Sequence, residues 1–327
     1  MLLPTPDDVI AAEARIRPHI AETPLWHAPA LSEWSGTNIW IKGEALGPLA
    51  SFKLRGALNH LLHEPGVKRA VTSSTGNHGQ AVAFAARLLD QTADIFLPES
   101  APETKRQAIA RLGGILHIGG ADLDAAKQTA RSFAQDHQAA FVDDGESPHI
   151  ITGAGTIGLE IARQLPEADY VFTPVGAGCL ASGTALGLKA AGAKAQVIGV
   201  TSAQTPCMAL SFHAGHAISP PVSTFCDCLD QRIPPELSLA TLMANVADMR
   251  MVEDSACLSA MKLALTHGHM LIEPGTAAVL AGLHQMRQAL AGKNQALAGK
   301  NIVLVFSGAN VDQALMARAL ASPDLGS

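Results

Sequence analysis

The sequence has no surplus of positive charge: 23 lysines and arginines stand against 29 aspartates and glutamates, a formal charge of -6. Binding nucleic acid by neutralising its backbone needs a basic stripe, and no window of the chain supplies one, so nucleic acid is excluded as a partner. No uninterrupted apolar run reaches the ~18 residues that a membrane span requires. At the N-terminus Asp7 and Asp8 follow only a few apolar residues, which leaves neither a signal-peptide core nor a basic leader. A soluble, cytoplasmic protein is the expectation. Thr5 as cap, Pro6 at the first helical position and the two aspartates read instead as a helix start. Cysteine is scarce too. Five of them, Cys179, Cys207, Cys226, Cys228 and Cys257, make no paired framework for a chain this long, which points to reduced thiols. Cys226-Asp227-Cys228 lacks a second Cys or His pair at ligand spacing, so no metal site is expected.

At 327 residues the chain exceeds the ~250 to 300 at which a single core stops growing, so two lobes are expected. Short β-rich runs alternate with Ala-rich helical segments: residues 39–42, 70–73, 93–97, 115–118, 170–174, 197–201 and 302–306. Val197-Ile198-Gly199-Val200 and Ile302-Val303-Leu304-Val305-Phe306 lack polar alternation, as parallel strands covered on both faces do. The class is α/β. The least regular stretch, His213 to Pro235, reads as a long connection within a lobe.

Glycine clusters fall where strands end: Thr75-Gly76-Asn77-His78-Gly79, Gly176-Ala177-Gly178 and Ser307-Gly308-Ala309-Asn310. In an open parallel sheet the ligand lies outside the carboxyl ends of strands, where loop amides and helix starts point outward, so three such loops imply one cleft. In Pro174-Val175-Gly176-Ala177-Gly178-Cys179-Leu180 a strand stops, glycines permit close approach and a helix of small residues begins, which makes a phosphate cradle. The same stretch fits the dinucleotide fingerprint, but the acid that should end the next strand is Thr201, which argues against a nicotinamide cofactor. Lys53 opens a helical segment in a Ser/Phe setting; most lysines are solvated surface charges, so its meaning depends on company.

That company carries a resemblance. Ser51-Phe52-Lys53-Leu54-Arg55-Gly56-Ala57, Ser74-Thr75-Gly76-Asn77-His78-Gly79-Gln80 and Ser307-Gly308-Ala309-Asn310-Val311-Asp312 resemble, in order and spacing, the motifs of the threonine/serine dehydratase family. These are fold type II pyridoxal-phosphate (PLP) enzymes, tryptophan synthase β-like, with two lobes that each hold a twisted, mostly parallel sheet flanked by helices. The similarity covers nearly the whole chain, including Lys42-Gly43-Glu44, Gly155 to Glu160 and Glu273-Pro274-Gly275. The resemblance implies that Lys53 binds the PLP aldehyde covalently, Phe52 flanks its ring, Asn77 bonds the ring hydroxyl and Ser307 faces the pyridine nitrogen. Gly176, Ala177, Gly178, Cys179 and Leu180 would hold the phosphate; Ser74, Thr75, Asn77 and His78 would receive the substrate carboxylate. Each has a plainer rival: Asn77 as a helix cap, His78 as a packed helical histidine, Ser307 as a turn hydroxyl. Glu44, Arg55, Glu160 and Glu273 read as ion-paired or capping groups.

The implied reaction is α,β-elimination from a β-hydroxy amino acid, giving a 2-oxo acid and ammonia. Lys53 would serve as the base, and Thr75 would be catalytic in place of the serine of related racemases. A lysine acting near neutral pH calls for burial and a cationic neighbourhood; no side chain is an evident acid for the departing hydroxyl. The runners-up are hydroxyaspartate or ectoine-pathway dehydratases and amino-acid racemases; outside the class stand a nicotinamide oxidoreductase and a catalytically silent amino-acid binder. Thr201, Thr205 and Cys207 stand where Mg²⁺- or Ca²⁺-activated relatives carry acids, so that metal site is expected to be lost. The expected architecture is a large cofactor lobe of residues 1–66 and 150–327 around a small lobe, 67–149, that closes on substrate, in a homodimer without an appended regulatory domain.

Overall fold

The computed structural model describes residues 1–291 and 297–326. Its strands are β1 Leu25–His27, β2 Asn38–Lys42, β3 Arg69–Ser73, β4 Thr92–Leu97, β5 Gly114–Ile118, β6 Ala140–Phe141, β7 Tyr170–Pro174, β8 Gln196–Ser202, β9 Asp248–Val252 and β10 Asn301–Val305. They form a six-stranded sheet ordered β1-β2-β10-β7-β8-β9 and a four-stranded sheet ordered β5-β4-β3-β6. Only β1 runs antiparallel to its neighbour; the other described pairings are parallel. All seven strands expected from the apolar runs are present, with boundaries shifted by a residue or so.

The apolar runs follow from double coverage. Ile302 and Leu304 of β10 face a core with helices Asp254–Thr266 and Pro274–Ala291, while Val303 and Val305 face another with helix Cys179–Ala190. Helices Lys53–His63, Asn77–Leu88 and Pro148–Gln164 share a third core with β3, β4 and β6 of the four-stranded sheet. Contact between helices Pro148–Gln164 and Cys179–Ala190 is close because both present glycine. A Cβ on Gly187 would lie 2.0 Å from the Gly155 carbonyl oxygen.

Beneath helix Lys53–His63 lies a buried ion network. Arg55 donates to Glu44 through Nε (2.8 Å) and to Glu160 through Nη1 (2.7 Å), and Lys42 Nζ lies 2.6 Å from Glu160 Oε2. Lys42 and Glu160 have no side-chain exposure. These charges, as read from the sequence, are structural: they fix the helix two residues beyond Lys53 rather than reaching the cleft.

Candidate active site

The segment that carries Lys53 is pinned to the end of β10. Phe52 N donates to Ser307 O at 2.9 Å and Ala309 N to Ala50 O at 2.9 Å, with a β-bridge between Ser51 and Gly308. Ala50 turns the chain into this contact through a left-handed conformation, φ 48°. Lys53 is thus the first residue of its helix and projects from a rigid corner.

Around it the cleft is lined by Phe52, Asn77, Gly176 to Leu180, Cys228, Leu229, Glu273 and Ser307. Every cofactor contact expected from the sequence therefore lies on one cavity wall. The loop after β7 is shaped as a cradle: Gly178 takes φ 98°, which disfavours any other residue, and opens helix Cys179–Ala190 without a side-chain cap. A Cβ on Gly176 would lie 2.6 Å from the Cys228 carbonyl oxygen, so that turn has no room for one. Uncapped amides at a helix start with the dipole behind them suit a phosphate dianion. The residues present fit PLP.

Ser307 Oγ lies 2.8 Å from Thr276 Oγ1, so its hydroxyl is oriented rather than free in a turn. Asn77 is not the cap of its helix; Gly76 holds that position. The Asn77 amide donates to Glu273 Oε1 and Oε2 at 3.1 and 3.0 Å and accepts from Asn310 Nδ2 at 2.7 Å. Glu273, directly before helix Pro274–Ala291, is also a cleft residue, a place the sequence did not give it. Burial pushes its carboxyl up to about 7, with the Asn77 donation opposing. Ser74 and Thr75 are half-buried in the loop between β3 and that helix, and Ser74 Oγ accepts from Gly76 N at 3.2 Å.

His78 is buried, with Nε2 3.1 Å from the Val142 carbonyl. A carbonyl only accepts, so Nε2 carries the proton and Nδ1 is left without a hydrogen-bond partner. Nδ1 faces Asp144 Oδ1 at 3.5 Å. Asp144 is the acid that the sequence did not reveal: Lys53 Nζ donates to its Oδ2, and Lys53 Nζ also lies 3.8 Å from Cys179 Sγ. The expected cationic neighbourhood of Lys53 is therefore wrong. Burial alone would lower the lysine pKa, but the Asp144 carboxylate outweighs it and holds the ammonium well above its ordinary range. Asp144 is correspondingly held down at about 2; burial works against this, and Lys53 prevails. Burial pushes the Cys179 thiol up to about 12, so it lines the cleft as a neutral thiol.

Cys228 also lines the cleft, its thiol raised mainly by burial, where the sequence placed it only in an irregular segment. Thr201 and Thr205 donate their hydroxyls to the carbonyls of Thr205 and Gln231 at 3.4 and 2.9 Å, away from this wall.

Comparison with known proteins gives a family described as "Pyridoxal-phosphate dependent enzyme", matched over residues 16–308. A tomato threonine dehydratase, biosynthetic and chloroplastic, is 34% identical over 298 residues, 89% of this chain but 48% of its own length. The chain thus spans about half of that relative. A yeast (Saccharomyces cerevisiae) L-threo-3-hydroxyaspartate ammonia-lyase is 30% identical and covers 100% of this chain and 99% of its own. Among solved structures, maize serine racemase superposes with a TM-score of 0.89 at 28% identity, covering 98% of this chain and 97% of that one.

Proposed function

We propose that this chain, which belongs to the pyridoxal-phosphate dependent enzyme family, is an ammonia-lyase that converts a β-hydroxy amino acid of the threonine/serine kind to a 2-oxo acid and ammonia. One observation carries the reading: Lys53, the amide cradle Gly176 to Leu180, Asn77 and Ser307 all border one cleft. Bound PLP supplies the electron sink that stabilises negative charge at the substrate α-carbon. Lys53 would hold the cofactor through its ε-amine, and that amine, when free, would take the α-proton. The amides of residues 176–180 would hold the cofactor phosphate, the Ser307 hydroxyl would meet the ring nitrogen, and Phe52 would flank the ring. Ser74, Thr75, Asn77 and His78, at a helix start, receive the substrate carboxylate and so orient the α-carbon toward Lys53 Nζ. Loss of the β-hydroxyl as water, followed by hydrolysis, completes the stoichiometry.

The ion pair with Asp144 makes Lys53 a stronger base by stabilising its protonated form, which is the form that proton removal generates. A second reading, elimination from a hydroxyaspartate, draws support from the likeness to the yeast enzyme along the whole chain. Assembly as a homodimer belongs to the same proposal, and sedimentation equilibrium measures it.

The test is chemical. Borohydride reduction of the cofactor-loaded protein should fix PLP to the peptide containing Lys53, read by mass spectrometry. Lys53→Ala should fold, leave nothing to trap and lose activity by about 10³-fold or more. Undiminished turnover of L-serine or L-threonine by that variant would end the reading.

A further inference from the structure

One charged side chain that touches Lys53 has no part in holding the cofactor. Asp144 lies in the loop between β6 and helix Pro148–Gln164. Its carboxylate touches Lys53 Nζ with one oxygen and faces His78 Nδ1 at 3.5 Å with the other. It therefore stands between the lysine that acts at the α-carbon and the helix start proposed to take the α-carboxylate.

The charges around it run one way. Lys53 is the single cation among the lining residues, and Asp144 already matches it. Neighbouring cations are committed elsewhere: Arg55 to Glu44 and Glu160, Lys127 and Arg131 to Asp143, Lys105 to Asp227. Glu273 adds a carboxyl group to the cleft lining.

We propose that Asp144 determines the substrate class of this site, an inference that rests on the elimination reading: its carboxylate turns away β-hydroxy amino acids bearing a second carboxylate. Those with a neutral side chain, of the serine and threonine kind, remain. A second carboxylate here would be desolvated without a cation to pair with. Two like charges ~5 Å apart at an effective dielectric of ~20 repel enough for a discrimination on the order of 100-fold. A hydrogen or methyl at the β-carbon meets no such penalty.

The experiment uses the cofactor-loaded protein and two amino acids without a β-leaving group, L-2-aminobutyrate and L-aspartate, bound at equilibrium and followed by the absorbance of bound PLP. Wild type should bind L-2-aminobutyrate on the order of 100-fold more tightly than L-aspartate. Asp144→Asn should narrow that ratio by about tenfold or more, while Asp144→Glu, which keeps the charge, should preserve it. The kcat/KM ratio for L-threonine over L-threo-3-hydroxyaspartate should move in parallel. Equal binding of the two amino acids by wild type, or an unchanged ratio in Asp144→Asn, overturns the assignment. If neither amino acid perturbs a spectrum that shows bound cofactor, the elimination reading itself falls and takes this one with it. Thermal melting of the cofactor-free variants separates either result from misfolding.

Discussion

At the scale of single residues, the site is governed by which charges the cleft leaves uncompensated. Glu273 is the clearest case. Its folded value of about 7 stands above its ordinary 4.5, so between those values the folded form binds more protons than the unfolded one. Stability from this group is complete below pH 4.5 and is lost as pH rises through 7, a loss of about 3 kcal/mol at 1.36 kcal/mol per pKa unit. His60 and His149, each held down at about 4 chiefly by burial, act oppositely and add stability from pH 4 upward. The contrast between wild type and Glu273→Gln isolates the glutamate. Urea denaturation of the cofactor-free proteins should show wild type losing stability relative to the variant between pH 5 and pH 8; parallel pH profiles would contradict the burial argument. Asp144 shows why such charges escape a reading of sequence. It lies 91 residues from Lys53 in a loop without a motif, and only the return of the chain after β6 brings the two together. Asn77, the cradle and Ser307 were legible because each sits in a glycine-punctuated loop at a strand end, where backbone geometry itself constrains sequence; Lys53, which opens a helix well past β2, was legible only through the resemblance of its motif.

At the scale of elements, legibility followed burial. The central parallel strands announce themselves as unbroken apolar runs because both faces are covered. β1, β6 and β9 did not: β1 and β6 have three and two residues, and β9 is an edge strand whose Asp248 and Arg250 interrupt the run. Helix packing hides in the same way, since a glycine reads as a turn until its neighbour is known. Gly187 lies inside helix Cys179–Ala190, whose start forms the phosphate cradle. Adding a methyl 2.0 Å from the Gly155 carbonyl forces the two helices apart, because backbone cannot swing aside as a side chain can. Gly187→Ala should cost about 3 kcal/mol in urea denaturation. It should also weaken PLP binding, measured by fluorescence titration, although Gly187 lies two turns beyond the cradle. A variant of unchanged stability would mean that the helices do not pack through glycine.

At the scale of the whole molecule, polar contacts join residues 67–149 to the rest of the chain around the cleft, among them Lys53 with Asp144 and Ser238 Oγ with the Gly145 carbonyl. Asn77, at the helix that follows β3, reaches Glu273 and Asn310 beside the six-stranded sheet, and Lys105 pairs with Asp227 over the opening. The Lys105–Asp227 pair is partly exposed, so it contributes no more than about 1 kcal/mol and weakens with salt. We propose that the mouth of the cleft, where this exposed pair crosses, closes on substrate while the core shared by helices Lys53–His63, Asn77–Leu88 and Pro148–Gln164 stays intact. Because the proposed carboxylate loop 74–78 lies within residues 67–149 and Lys53 outside them, substrate bound by both should draw them together. Hydrogen exchange of the cofactor-loaded protein should therefore slow around residues 74–80 and 103–111 when L-2-aminobutyrate binds. Lys105→Ala should raise KM by up to about fivefold at low salt with kcat unchanged, since the pair acts on closure and not on the reacting atoms. Exchange unaffected by the amino acid, with binding independently verified, would mean that the cleft is already closed, and access to Lys53 would then depend on the side chains at its mouth.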